Sequence, residues 1–201
     1  MGKILVVESS PRKKDSYSRK LAHELVEKLK NKNGDTVQIR DLSESPLPHL
    51  TEENIAAFFT PAENRDAKAQ QSVKLSDEIV DELLGADTIV ISAPMWNFNI
   101  PSVLKAWIDH IVRAGRTFSF TATGLNSLVK NKKVYLILAS GSVFSEGPFK
   151  AMDFQEPYLR GVLGFIGMTD VEVIKVEGIN DPKVAEQVLQ KARHKIEQLT
   201  V

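Results

Sequence analysis

Short apolar runs alternate with amphipathic ones along the whole chain. Lys3 to Val7 is a compact aliphatic run of strand length. Beyond it, Leu21, Leu25 and Leu29 recur at i, i+4 and i+8, with Ala22 and Val26 widening the stripe, which predicts a helix with one buried face. Asn33 and Gly34 are expected to end it, and Thr36 to Leu42 predicts a second strand. Between residues 43 and 70 the pattern loosens around Pro46, Pro48 and Pro61, with one short helical candidate near Glu52 to Phe59. A longer helix is predicted from about Gln71 to Leu84, with Gly85 as its stop. Thr88 to Ser92 predicts a third strand. The helix after it, from about Pro101 to Arg113, puts Val103, Leu104, Trp107, Ile108 and Ile111 on one face, with Pro101 in its first turn. Arg116 to Thr123 alternates loosely, as a small excursion or hairpin would. Val134 to Ser140 is almost continuously apolar, as a strand covered on both faces should be. Phe154 to Ile166 predicts a helix and Val171 to Val176 a strand. A last helix opens on Asp181 and Pro182, a cap followed by proline.

Five strands separated by helices predict an α/β fold, a doubly wound five-stranded parallel sheet with right-handed crossovers and the flavodoxin-like order 2-1-3-4-5. No repeat, low-complexity tract or linker interrupts the pattern, so residues 1–201 are expected to form a single domain. Lys plus Arg and Asp plus Glu both number 26, and this balance argues against a nucleic-acid binder. The chain has no cysteine, which excludes disulfides and thiolate chemistry. His23, His49, His110 and His194 show no metal-ligand spacing, and each is expected on a helix or loop surface. No apolar run approaches the ~18 residues that span a membrane. The opening residues read as a strand rather than as a signal peptide, so the expected location is cytoplasmic.

Doubly wound sheets gather ligands where the loops after neighbouring strands converge, and three such loops carry suitable residues. After the first strand, Ser9, Ser10, Ser16 and Ser18 surround a helix N-terminus, with Arg12, Lys13 and Lys14 nearby. Hydroxyls and free amides there suit a phosphate, although Ser and Asp at such a place are also ordinary helix caps. Asp15 is discordant and is expected to point away or to cap the helix. After the third strand, Met95, Trp96, Asn97 and Phe98 offer apolar surface and an amide to a flat, partly polar ring. After the fourth, Gly141 allows close backbone approach between Ser140 and Ser142. Alone, each is also an ordinary connection. Neither G-x-G-x-x-G nor G-x-x-x-x-G-K-[ST] is present. Together the loops suit a phosphorylated flat heterocycle, and flavin mononucleotide has that form.

The chain resembles the FMN-dependent NADH-azoreductase family, also described as NADH:quinone reductases, over its full length. The resemblance is carried by Ser9 and Ser10 with Ser16, Tyr17 and Ser18, by the segment Ala93 to Ile100, by Arg113 to Phe118 and by Leu163 to Asp170. It implies a flavodoxin-like homodimer with FMN near the subunit interface. Ser10, Ser16, Tyr17 and Ser18 would bind the phosphate and ribityl chain. Met95, Trp96, Asn97 and Phe98 would line the isoalloxazine, and Ser140, Gly141, Ser142 and Val143 would meet its polar edge. Two departures stand out. Many members carry Ser-Arg-Gly-Gly where this chain has Ser140, Gly141, Ser142 and Val143, which removes a cation. Trp96 stands where Tyr is frequent. The implied reaction passes a hydride from NADH through FMN to quinones or aromatic azo compounds by a ping-pong mechanism, with the cofactor supplying the chemistry and no catalytic side chain. Phe118, Phe120 and Phe165, or Phe58 and Phe59 of a second subunit, are candidates for walls of the substrate slot, although plain core is the commoner role for such residues. The alternatives are a flavodoxin-like electron carrier and a flavin-bearing redox sensor.

Overall fold

A computed structural model describes residues 2–30 and 34–200. The strands β1 (Lys3–Glu8), β2 (Thr36–Asp41), β3 (Thr88–Pro94), β6 (Lys133–Ser140) and β7 (Asp170–Glu177) form one parallel sheet in the order β2-β1-β3-β6-β7. Counted over the sheet strands alone, this is the predicted 2-1-3-4-5 order. The loose segment after residue 116 is a separate antiparallel hairpin of β4 (Phe118–Thr121) and β5 (Gly124–Ser127).

Helices α1 (Tyr17–Leu29) and α6 (Pro182–Gln198) cover one face of the sheet. The other face carries α3 (Ala67–Gly85), α4 (Ser102–Ile111) and α5 (Gln155–Ile166). Strand side chains alternate between the two cores: Leu5 and Val7 join the α4 side, while Ile4 and Val6 join the α1 side. Both sets are buried, which is why these strands read as unbroken apolar runs. The short helix α2 (Glu52–Phe59) packs on α3, with Phe58 and Val73 between them.

Local chemistry sets the helix ends. Thr51 and Asn54 close a capping box at α2, Asp66 caps α3, and Asp181 with Pro182 opens α6. Gly167 ends α5 with φ 110°, and a Cβ there would run into the Val129 carbonyl oxygen, so only glycine fits.

Several expected boundaries shift. α3 starts at Ala67 rather than Gln71, because Asp66 accepts the Ala69 N–H and lets the polar first turn join the helix. Gly85 is its last helical residue, and Ala86 forms the C-cap with an ordinary φ of −87°. Pro101 is the N-cap of α4 rather than part of its first turn. α1 ends at Leu29, and Asn33 lies outside the described residues. His110 is buried, not on a surface: its Nε2 lies 2.9 Å from the Pro48 carbonyl oxygen, which gives the ring a partner inside.

At β7, Lys195 donates to the Val173 carbonyl at 2.7 Å and Arg160 to the Val171 carbonyl at 3.3 Å. At β2, Arg40 pairs with Glu82 of α3.

Candidate functional site

The exits of β1, β3 and β6 are stitched together at the carboxyl end of the sheet. Ser9 donates to the Ser92 carbonyl through its N–H at 3.2 Å and its hydroxyl at 2.8 Å. The Met95 N–H donates to the Ala139 carbonyl at 2.7 Å. Extended pairing therefore continues one residue past each strand before the loops diverge, and the residues that follow face a common space.

The β1 loop turns into α1 through Ser16, whose hydroxyl caps the helix by accepting the Arg19 N–H and lies 3.2 Å from the Ser18 hydroxyl. The cap is thus Ser16 and not Asp15, which instead stands exposed on the rim of the cavity described below. Ser9, Ser10, Ser16 and Ser18 are all buried. The Ser9 hydroxyl is taken by the Ser92 carbonyl, but those of Ser10, Ser16 and Ser18 line the cavity beside first-turn amides that have no intrahelical acceptor, and the helix dipole favours an anion there.

Beneath this loop lies a buried ionic cluster that the sequence reading missed. Arg19 reaches back to the Ser10 carbonyl through Nε at 3.2 Å and Nη2 at 2.7 Å. It also binds Asp41 bidentately at 2.7 and 2.8 Å, the Ser43 hydroxyl at 2.7 Å, and Glu8. His23 lies 2.7 Å from the other Glu8 oxygen. Burial works against ionisation of Asp41, but the hydrogen bonds from Arg19 and Ser43 outweigh it and hold the carboxyl well below the usual range. Burial likewise disfavours the Arg19 cation, and Asp41 and Glu8 more than offset this. One signal of the cluster was present in the sequence: Arg19 falls in line with Ala22, Val26 and Leu29 on the apolar stripe of α1.

The β3 loop folds into a two-residue reversal. Trp96 and Asn99 exchange backbone hydrogen bonds at 2.9 and 3.0 Å. Asn97 and Phe98 between them have φ of 48° and 70°, both positive, as a type I′ turn requires. Asn tolerates this backbone readily, whereas Phe there stores roughly 1–3 kcal/mol of strain. Trp96 is left 46% exposed. The β6 loop is held from inside: Ser140 donates its hydroxyl to the Ser142 carbonyl at 2.8 Å, and the Phe144 and Ser145 amides donate to Glu177 at 2.9 and 3.0 Å.

A cavity of about 240 Å³ opens between these loops, and its lining includes Ser10, Arg12, Ser16, Tyr17, Ser18, Met95, Trp96 and Gly141. Trp96 separates it from an open groove of about 790 Å³ bordered by Asn97, Ile100, Val103 and Tyr158. Of the twelve predicted site residues, seven line the smaller cavity and Asn97 lines the groove. Ser142 and Val143 border a shallow depression on the far side of Gly141, beside Pro182 and Val184. Phe98 and Ser140 line none of these; Phe98 packs edge-on against Phe144, with ring centres 6.1 Å apart. Phe118, Phe120 and Phe165 form their own cluster, Phe118 lying 4.9 Å from Phe165. Phe58 is buried under the Arg113 guanidinium at 3.8 Å, while Phe59 is 73% exposed.

The residues at this site fit a flavin phosphate. One end offers buried hydroxyls, helix amides and Arg12; the other offers Met95 and the indole of Trp96, with a glycine where the backbone must come close. Trp96 lines both this cavity and the groove, so a flat ring placed against the indole would lie beside the groove.

Comparison with known proteins agrees with this fold. A family model described as a flavodoxin-like fold matches residues 2–200. An FMN-dependent NADH:quinone oxidoreductase of Herminiimonas arsenicoxydans is 53% identical over 180 residues, covering 89% of this chain and 88% of that protein. One of Agrobacterium fabrum is 48% identical over 201 residues, covering 99% and 98%. Among solved structures, an azoreductase from Bacillus anthracis superimposes with a TM-score of 0.90 at 32% identity, covering 98% of this chain and 97% of that one. An FMN-dependent NADH-azoreductase from Bacillus anthracis in complex with FMN gives 0.86 at 25% identity, with both chains fully covered. The chain belongs to the flavodoxin-like FMN-dependent NADH:quinone oxidoreductase family, whose members include azoreductases.

Proposed function

We propose that this chain is an FMN-dependent oxidoreductase that takes reducing equivalents from NADH and delivers them to quinones and aromatic azo compounds, the two substrates using one site in turn. FMN, when bound, accepts a hydride from NADH and returns it to the acceptor. Everything else is left to the protein. Ser10, Ser16, Tyr17 and Ser18 hold the phosphate and ribityl end, with the α1 amides supplying a fixed positive potential. Met95, Trp96 and Asn97 form the wall for the ring and Gly141 meets its polar edge, while Phe98, Ser140, Ser142 and Val143, which line no part of this cavity, shape the loops behind them. The I′ reversal at Asn97 and Phe98 keeps that wall rigid, so ring orientation does not depend on a mobile loop.

The observation that carries this reading is the convergence of seven predicted residues from three separate loops on one cavity at the carboxyl end of the sheet. The open groove beyond Trp96 supports a broad acceptor range, since a slot without shape selection admits one flat molecule after another.

The working unit in this proposal is a homodimer of one-domain subunits over residues 1–201, acting in the cytoplasm. Three features support the dimer: the groove beside the cavity, the exposed Trp96 on its border, and the exposed rings of Phe59 and Phe120. Apolar surface of this kind marks an interaction face. Among the described residues no helix is long and apolar enough to cross a membrane.

The test is direct. Purified protein should take up FMN near one per chain, oxidise NADH with a simple quinone as acceptor, and give parallel lines in double-reciprocal plots. A protein that binds no FMN, or that binds it and leaves NADH untouched, would overturn the proposal.

A further inference from the structure

We propose that Asn180 is an additional flavin-binding residue, and that the bare backbone at position 141 leaves its side chain in place. The inference rests on the FMN reading above and adds a contact from a fourth loop, the one that follows β7.

Backbone bonds fix the place of this residue. The Ile179 N–H donates to the Ser140 carbonyl at 3.3 Å and the Asn180 N–H to the Gly141 carbonyl at 3.1 Å. The loop after β7 is thereby laid alongside the loop after β6. The Asn180 side chain lines the same cavity as Ser10, Ser16, Ser18 and Met95. It is exposed, and its carboxamide makes no hydrogen bond to any described residue. All four of its hydrogen-bonding positions are therefore available to a ligand.

Gly141 supplies a separate observation. Its φ is not positive, so no turn geometry demands a glycine there. Space does bear on it: a Cβ at 141 would lie 2.7 Å from Asn180 Cγ and 2.9 Å from its Oδ1, so a side chain there would push the carboxamide out of its present position. The bare backbone at 141 and the carboxamide at 180 are two halves of one fit.

The chemistry selects the part of the flavin that is met. The pyrimidine edge of the ring carries an N–H between carbonyl oxygens, and a carboxamide presents the matching acceptor and donors side by side. A phosphate needs donors only, and the serine hydroxyls and helix amides already supply them. Asn180 is assigned to the ring.

The full-length protein, stripped of flavin, is titrated with FMN and separately with riboflavin, following the quenching of flavin fluorescence; melting curves verify that each variant is folded. Asn180→Ala should raise Kd by about 3- to 10-fold, the value of one neutral hydrogen bond, and by the same factor for both ligands. Gly141→Ala should weaken binding similarly by displacing the carboxamide, yet add nothing in the Asn180→Ala background. Wild-type affinity in Asn180→Ala would overturn the inference, as would a loss seen with FMN but not riboflavin, or a Gly141→Ala effect of equal size in both backgrounds. Failure of the wild-type protein to bind either ligand would instead remove the function proposed above.

Discussion

Arg19 grips the carbonyl of Ser10 twice, with Nε at 3.2 Å and Nη2 at 2.7 Å, while the same guanidinium is clamped between Glu8 and Asp41. The loop between β1 and α1 is thus shaped from below by a residue that lends it little charge, because two carboxylates surround the cation. Arg19→Met should cost about 3–5 kcal/mol of unfolding free energy by leaving buried carboxylates unpaired. Arg19→Lys should recover part of that loss but not the FMN affinity, since an ammonium cannot hold the carbonyl and Asp41 in one plane. Urea titration and FMN titration read the two effects separately. If the lysine variant binds FMN as the wild type does, Arg19 plays no part in positioning Ser10.

Asp41 makes stability depend on pH in a definite sense. Its carboxyl is held below the usual range in the folded protein, so its contribution is complete above the unfolded carboxylate pKa of roughly 4 and fades as pH falls toward the folded value. Asp41→Asn should therefore be less stable at pH 7 by about 2–3 kcal/mol. The gap should narrow steadily below pH ~4. Denaturation at pH 7 and again in acid measures it, and a gap that stayed constant would contradict the assignment.

The double variant Ser10→Ala with Ser18→Ala should bind FMN more weakly, since each hydrogen bond to a charged phosphate contributes roughly 1.5–3 kcal/mol. Riboflavin, which lacks the phosphate but keeps the ribityl chain, should lose less affinity than FMN does between wild type and variant. Equal FMN affinity in both proteins would move the phosphate elsewhere.

Asn97 is exposed, in a left-handed backbone conformation, so its replacement by Ala should cost only about 0.5–1 kcal/mol of stability. Stopped-flow reduction by NADH should nonetheless slow markedly, as the wall beside the ring loses its amide. An unchanged reduction rate would exclude Asn97 from the ring's surroundings.

Much of this protein is legible in its sequence because both faces of the sheet are buried. Continuous apolar runs such as Val134 to Ser140 and the stripe Leu21, Leu25, Leu29 have one economical solution, a sheet with helices on both faces. The Met95 to Phe98 loop was legible for a different reason: large side chains between a strand and a helix have no core to enter. What escaped notice depends on distant partners. Arg19 looks like solvent-facing charge until Asp41, 22 positions further on, is brought beside it. His110 looks like a surface residue until the irregular segment returns Pro48 to its ring. Asn180 belongs to a loop after the last strand, and only the backbone bonds to Gly141 and Ser140 reveal where it lands.

The lysine and arginine that occupy the outer carbonyls of β7 have a bearing on assembly. With the Val171 and Val173 carbonyls already bonded, this edge offers fewer acceptors to an added strand, and edge-to-edge growth along β7 is disfavoured.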